Sequence, residues 1–249
     1  MARQTGLIKI KGTLDNVNFY KTKDGDLARM KTSVDKDRIT NDPAFERTRE
    51  NNAEFANSAK AGKLLRDSVR PLAMTASDFR VTSRMTKLMS QIKNLDETST
   101  RGERNVATGL GVTGALNVLK GFEFNKNALL SAILFKPYAV DTTAGTFTIN
   151  GLIPQNDVVW PQGATHVRFS GGIASINFET GDEAMVGTNA VTLPINMTSD
   201  DVELTVASVP TAGDVNLFLL RIEFFQEMNG NMYTLKNNAY NALRIVEAV

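Results

Sequence analysis

The sequence predicts an α+β protein with three parts: an N-terminal β-hairpin arm (residues 1–38), a middle layer of two to three helices (39–127) and a C-terminal antiparallel β-sandwich (128–249), immunoglobulin-like or jelly-roll in kind. Three observations predict it. Apolar residues recur at helical spacing between residues 45 and 95, whereas from about residue 128 they alternate with polar ones. Charge thins at the same place, from 38 charged side chains in residues 1–127 to 17 in residues 128–249. Its sign also reverses: 23 Lys/Arg against 15 Asp/Glu give +8 in the first stretch, and 5 against 12 give −7 in the second, leaving +1 for all 249 residues.

Within the arm, Leu7, Ile8 and Ile10 are expected to begin a strand, Gly12 marks a bulge or turn, and Val17, Phe19 and Lys21 alternate. Asp24-Gly25 reads as a type I′ turn before a returning strand at residues 27–30. Two or three strands alone are marginally stable in water, so the arm is expected to lie on its own chain or on a neighbouring subunit.

The first long helix is marked by Asp42 as cap and Pro43 at its first position, and Pro71 ends or kinks it. Phe45, Phe55, Ala56, Ala59, Gly62, Leu65 and Val69 are expected near one face, with Lys60, Lys63, Arg66 and Arg70 along another. A second helix over residues 77–94 carries a narrow apolar seam of Val81, Met85, Leu88, Ile92 and Leu95. Residues 103–120 read as a weaker helix loosened by Gly109, Gly111 and Gly114.

Strands are expected at residues 130–140, 146–150, 166–170, 173–179, 190–195, 202–208, 215–226 and 232–236, with Asn229-Gly230 as a type I′ hairpin turn between the last two. Residues 239–249 fit a closing strand or a short helix equally.

Several stretches together resemble an uncharacterised family of Bacteroidota proteins: Ala2-Arg-Gln-Thr-Gly-Leu with Lys11-Gly-Thr13, Phe19-Tyr-Lys21 with Asp24-Gly25, Asn41-Asp-Pro-Ala-Phe-Glu-Arg-Thr-Arg-Glu-Asn51, Lys60-Ala-Gly-Lys-Leu-Leu-Arg66, Ser99-Thr-Arg-Gly102, Gly121-Phe-Glu-Phe-Asn125, and Phe225-Gln-Glu-Met-Asn-Gly230 with Asn238-Ala-Tyr-Asn-Ala-Leu243. The resemblance covers most of the chain, and residues 106–118 depart from it. It implies no activity and assigns no residue a role.

Composition removes several chemistries. Without cysteine there is no disulfide framework, thiolate metal site or Cys nucleophile, and a single histidine, His166, argues against a transition-metal centre. His166 is expected to face solvent from a strand. Gly109-Leu-Gly-Val-Thr-Gly114 fits the dinucleotide fingerprint, but a polar stretch precedes it and no acid follows about 20 residues on, so a flexible or closely packed glycine segment is the better reading. Ser90-Gln-Ile-Lys93 has the serine–lysine spacing of acyl-transfer enzymes without their other motifs. The acidic turns at residues 179–183 and 200–203 lack the spacing of a calcium loop and read as solvated strand ends. No cofactor and no enzymatic activity are expected.

Lys60, Lys63, Arg66, Arg70, Arg80, Arg84 and Lys87 form a basic stripe, yet no aromatic residues interleave with it, so nucleic acid is not the expected partner. No signal peptide or membrane span is expected, because Lys9 and Lys11 interrupt the only apolar run near the start; the expected location is the cytoplasm or an assembled particle or filament. The expected partner is another copy of the chain, basic half against acidic half, with strand exchange by the arm. The candidate interface residues are Ile8, Ile10, Val17, Phe19, Lys63, Arg66, Arg70, Arg84, Asp200, Asp201 and Glu203. The alternative is a monomeric binding module using sandwich loops or Tyr138 and Trp160, although burial is the expected role of the only tryptophan.

Overall fold

The structure, a computed structural model, describes residues 1–31, 34–235 and 239–249, so the expected strand end at Lys236 and Asn238 of the resemblance lie outside the described residues. The chain forms two compact units, Met1–Arg49 and Glu50–Val249.

The first unit carries an antiparallel sheet of β1 (Ala2–Arg3), β2 (Gly12–Leu14), β3 (Val17–Thr22) and β4 (Gly25–Met30), in the order β1-β4-β3-β2. Leu7, Ile8 and Ile10 are not in a strand, contrary to expectation. They belong to the loop between β1 and β2, where the Gln4 amide accepts from Ile10 N–H (2.9 Å) and donates to Ile10 C=O (3.1 Å), closing the loop locally. The β3–β4 turn is also displaced: Thr22 pairs with Gly25, so Lys23 and Asp24 form the two-residue loop and the positive φ of +115° falls on Gly25 alone. After α1 (Lys36–Asn41), Asp42 caps a short 3-10 turn, Pro43–Phe45, by accepting from Ala44 N–H at 2.9 Å. Helix α2 (Glu46–Ser68) follows directly.

In the second unit, α2 stops where Val69 leaves helical geometry (φ −95°, ψ 11°), and α3 (Arg70–Ala73) restarts with Pro71 in its first turn. Then come α4 (Val81–Lys93), α5 (Val106–Leu110) and a 3-10 turn at Ala115–Val118. The buried face of the C-terminal half of α2 is the expected one, with Gly62, Leu65 and then Val69 buried, but that of its N-terminal half is not. Glu54, Ser58, Ala61, Gly62, Leu65 and Ser68 are buried, whereas Phe55 is 62% exposed. The expected strand at 130–140 begins instead as a helical turn, α6 (Leu130–Ile133), and only β5 (Ala139–Asp141) remains extended.

The remaining elements are β6 (Thr146–Leu152), α7 (Pro154–Asp157), β7 (His166–Ile176), β8 (Glu183–Gly187), β9 (Val191–Pro194), β10 (Asp200–Thr205), β11 (Val215–Met228), β12 (Asn231–Thr234) and β13 (Ala242–Ala248). Strands β12-β11-β7-β8 form one antiparallel sheet, with β13 on β11 and β9 on β7; β10-β6-β5 form another. The two strands expected at 166–170 and 173–179 are one, β7. The Asn229-Gly230 hairpin is as expected, with φ of +52° and +78° and Met228 paired with Asn231.

Alternation along β11 explains the layering, because successive side chains point to opposite faces. Leu217 and Leu219 share an apolar cluster with Leu65, Val69, Met85, Met89 and Ile92 of the helices. Phe218, Leu220, Ile222 and Phe224 turn the other way and join Phe147 and Ile149 of β6 and Val202 and Leu204 of β10. The large sheet is thus covered by helices on one face and by the smaller sheet on the other. Each fully buried Leu, Ile or Phe contributes about 1.5–3 kcal/mol by leaving water. Strand β13 has Leu243 and Ile245 in the first cluster and Ala242 and Val246 in the second, which is why residues 239–249 show no clear period in sequence. The composition change near residue 128 therefore does not separate two cores. Among the described residues, no helix is long and apolar enough to cross a membrane.

Candidate functional site

The N-terminal sheet has no core of its own: none of the described residues 1–49 is buried. Ile8 and Ile10 are 87% and 49% exposed, and Val17 and Phe19 on β3 are half-buried. Sequence alternation predicted an amphipathic arm. It did not reveal that the sheet would have four strands, with β3 and β4 no more than half-buried.

The basic stripe divides. Lys63 is exposed and pairs with Asp67 at 3.0 Å, Arg66 donates to Gly62 C=O (3.1 Å) and Thr82 Oγ1 (3.0 Å), and Arg70 is exposed. Arg84 is held differently. Its guanidinium donates to the Asp78 carboxylate, to Glu123 C=O and to Phe124 C=O (2.8 Å), and lies over the Phe122 ring. It clamps the segment after the 3-10 turn onto α4.

On the acidic side, Glu203 is exposed, Asp200 is half-buried, and Asp201 accepts from Gly151 N–H at 2.6 Å. Strand β10 ends its sheet, and such edges invite pairing with another chain. Asn189 blunts this one: its side chain accepts from Thr205 N–H (2.7 Å) and donates to Glu203 C=O (3.1 Å).

Other sequence candidates resolve into packing. A Cβ at Gly109 would lie 2.2 Å from Ile92 O, so the first glycine of the apparent fingerprint is needed where α5 crosses α4. Ser90 donates to Thr86 C=O at 2.9 Å, while Lys93 is buried against Glu54, so the two are not a reacting pair. The His166 side chain is 15% exposed, not solvent-facing, with Thr165 Oγ1 at 2.9 Å and the Glu227 carboxylate at 3.6 Å. Trp160 is 38% exposed rather than buried, beside Val159 (49%); Phe135 (62%) adjoins them across the Leu134–Val158 bridge. Among the described residues, no three His, Asp or Glu side chains converge to hold a metal ion.

Sequence reasoning missed a cleft of about 660 Å³ between the α5 region and the ends of β7 and β11. Leu110, Leu116, Phe178 and Val215 supply apolar surface, and Glu103, Glu179 and Asp214 supply charge, with no Lys or Arg among the lining residues. Asn57 and Asn105 shape one wall by accepting from Val106 and Thr108 N–H, and Asn177 shapes the other by donating to Asp214 (3.2 Å). These residues come from separated segments without a shared motif, so no sequence signal marks the cleft.

Sequence reasoning also missed Glu123. Its carboxylate accepts from Leu130 N–H (3.2 and 3.3 Å) and lies 3.7 Å from Arg244. Burial pushes its pKa up from 4.5 to about 7, against the opposing pull of the Leu130 N–H, Arg244 and Arg84. Between those values the folded chain holds a proton that the unfolded chain has released, so this group's contribution to stability is lost as pH rises through that window. Thermal unfolding of wild type and Glu123→Gln should show it: the wild-type midpoint falls relative to the variant from about pH 5 to 7. Parallel profiles would refute the shift.

No known protein family, curated protein or solved structure matches the chain.

Proposed function

We propose that the chain is a non-enzymatic, self-assembling structural subunit of a filament, tube, sheath or particle. One observation carries this reading: none of the described residues among 1–49, which hold the four-stranded sheet, is buried, while residues 50–249 enclose two apolar clusters. A small sheet without a buried residue gains little from folding alone, and a partner surface would stabilise it. The charge division favours a second copy as that partner, basic region against acidic region, and the arm extends the contact by strand exchange. In this design the two sheets over their common cluster act as a β-sandwich body that carries the arm. Such a contact joins two different surfaces and generates rings or open filaments.

Light scattering coupled to size exclusion tests this on the full chain. A mass that is a multiple of 27.2 kDa, rising with protein concentration and falling at high salt, is the expected result. A 27.2 kDa species at every concentration and salt would remove the reading.

The exposed group of Phe135, Val159 and Trp160 favours a second reading, a binding module for a carbohydrate or protein ligand. As the only tryptophan, Trp160 reports on it directly. Under this reading a ligand from a glycan panel quenches or blue-shifts its emission, and Trp160→Ala abolishes binding; an emission spectrum unmoved by any glycan counts against the carbohydrate form.

A further inference from the structure

We infer that the cleft between α5 and the ends of β7 and β11 receives residues 7–11 from a second copy of this chain. The inference rests on the assembly reading and names the contact that would carry it.

The cleft asks for an occupant that is apolar on one side and cationic on the other. Leu116 and Phe178 are part of its apolar surface; Glu103, Glu179 and Asp214 bring negative charge to the lining, with no Lys or Arg among the lining residues. The chain contains a matching segment, Leu7-Ile-Lys-Ile-Lys11. The segment is bent in the free chain; once it opens into an extended backbone on binding, side chains two apart share a side, so Ile8 and Ile10 face one way and Lys9 and Lys11 the other, and the Lys9 ammonium leaves the Gln4 C=O that it holds. Ile8 and Ile10 would meet the apolar surface, and the two ammonium groups would meet the carboxylates.

Exposure supports the pairing. Leu7 is 104% and Ile8 87% exposed, an unusual state for adjacent aliphatic side chains. The loop is nevertheless tethered, because the Gln4 amide holds both backbone groups of Ile10. That tether belongs to the bent loop and opens when the segment binds extended. Segment and cleft are different surfaces of the same chain, so the contact propagates head to tail.

Two charge-reversed chains test this. One carries Lys9→Glu and Lys11→Glu; the other carries Glu103→Lys and Glu179→Lys. All four sites are exposed, and circular dichroism checks that each variant stays folded. Each variant alone should fall to the 27.2 kDa mass by light scattering, because like charges now face one another. Mixed in equal amounts they should assemble again, since each supplies the segment that fits the other's cleft. Variants that assemble as wild type does would overturn the pairing while leaving assembly itself intact. A mixture that stays monomeric would also overturn it, and would be the result if the segment closed on its own chain. Monomeric wild type under all conditions would instead remove the assembly reading beneath it.

Discussion

Lys93→Met is expected to lower the unfolding free energy by about 3–5 kcal/mol, because it strands a buried carboxylate. Glu54 and Lys93 are 7% and 8% exposed, one on α2 and the other at the end of α4. The ammonium donates to one carboxylate oxygen, and Gly102 N–H donates to the other at 2.9 Å. The Lys93 hydrogen bond is the main cause holding the Glu54 carboxyl below its ordinary 4.5, with burial opposing it. Its contribution to stability is therefore present above the ordinary carboxylate range and lost as pH falls through the depressed value. The double variant Glu54→Gln/Lys93→Met removes both charges and keeps an acceptor for Gly102, so it should recover most of the loss. Denaturant unfolding of the wild type, both single variants and the double variant measures this coupling. Additive losses would show that the pair contributes nothing as a pair.

Asp96→Ala should cost about 2–3 kcal/mol, measured by the same unfolding experiment. The Asp96 side chain, 1% exposed, organises the loop from α4 to α5. Its Oδ1 accepts from Thr98 N–H (3.1 Å), Thr98 Oγ1–H (3.0 Å) and Ser99 N–H (3.0 Å), and its Oδ2 accepts from Asn105 N–H (3.1 Å). Burial alone would raise its pKa, but donors from Ser99, Asn105 and Thr98 outweigh it and hold the carboxyl far below 3.8. The sign is opposite to that at Glu123. Stability from Asp96 is present above 3.8 and falls away as pH drops below it, so the gap between wild type and Asp96→Ala should close in acid. A gap unchanged from pH 6 to pH 3 would contradict this account of the loop.

Particular residues show which parts of the fold were legible in sequence. The Asn229-Gly230 hairpin was readable because type I′ geometry demands those residues locally. The long strands β7 and β11 were readable as β from alternation. The buried face toward the start of α2 was not, because it carries Glu54 and Ser58, polar groups whose partners lie on α4, on Gly102 or on the preceding turn of α2 itself. Apolar spacing pointed to Phe55 instead, and Phe55 is exposed. Strand β13 hid its period because both faces are buried. The contacts of Arg84 were not legible either, because Asp78 and the carbonyls of Glu123 and Phe124 meet it only in the folded chain. In the candidate site, the exposed Ile8 and Ile10 were legible as apolar residues in need of cover. The acidic cleft was not, since Glu103, Glu179 and Asp214 converge only in the folded chain.

Negative-stain electron microscopy of the purified full chain, above and below the concentration at which its mass rises, tests the central claim most directly. The account predicts rings or open filaments with a repeating subunit, because a head-to-tail contact uses two different surfaces. A uniform field of single particles of 27.2 kDa at all concentrations would contradict it.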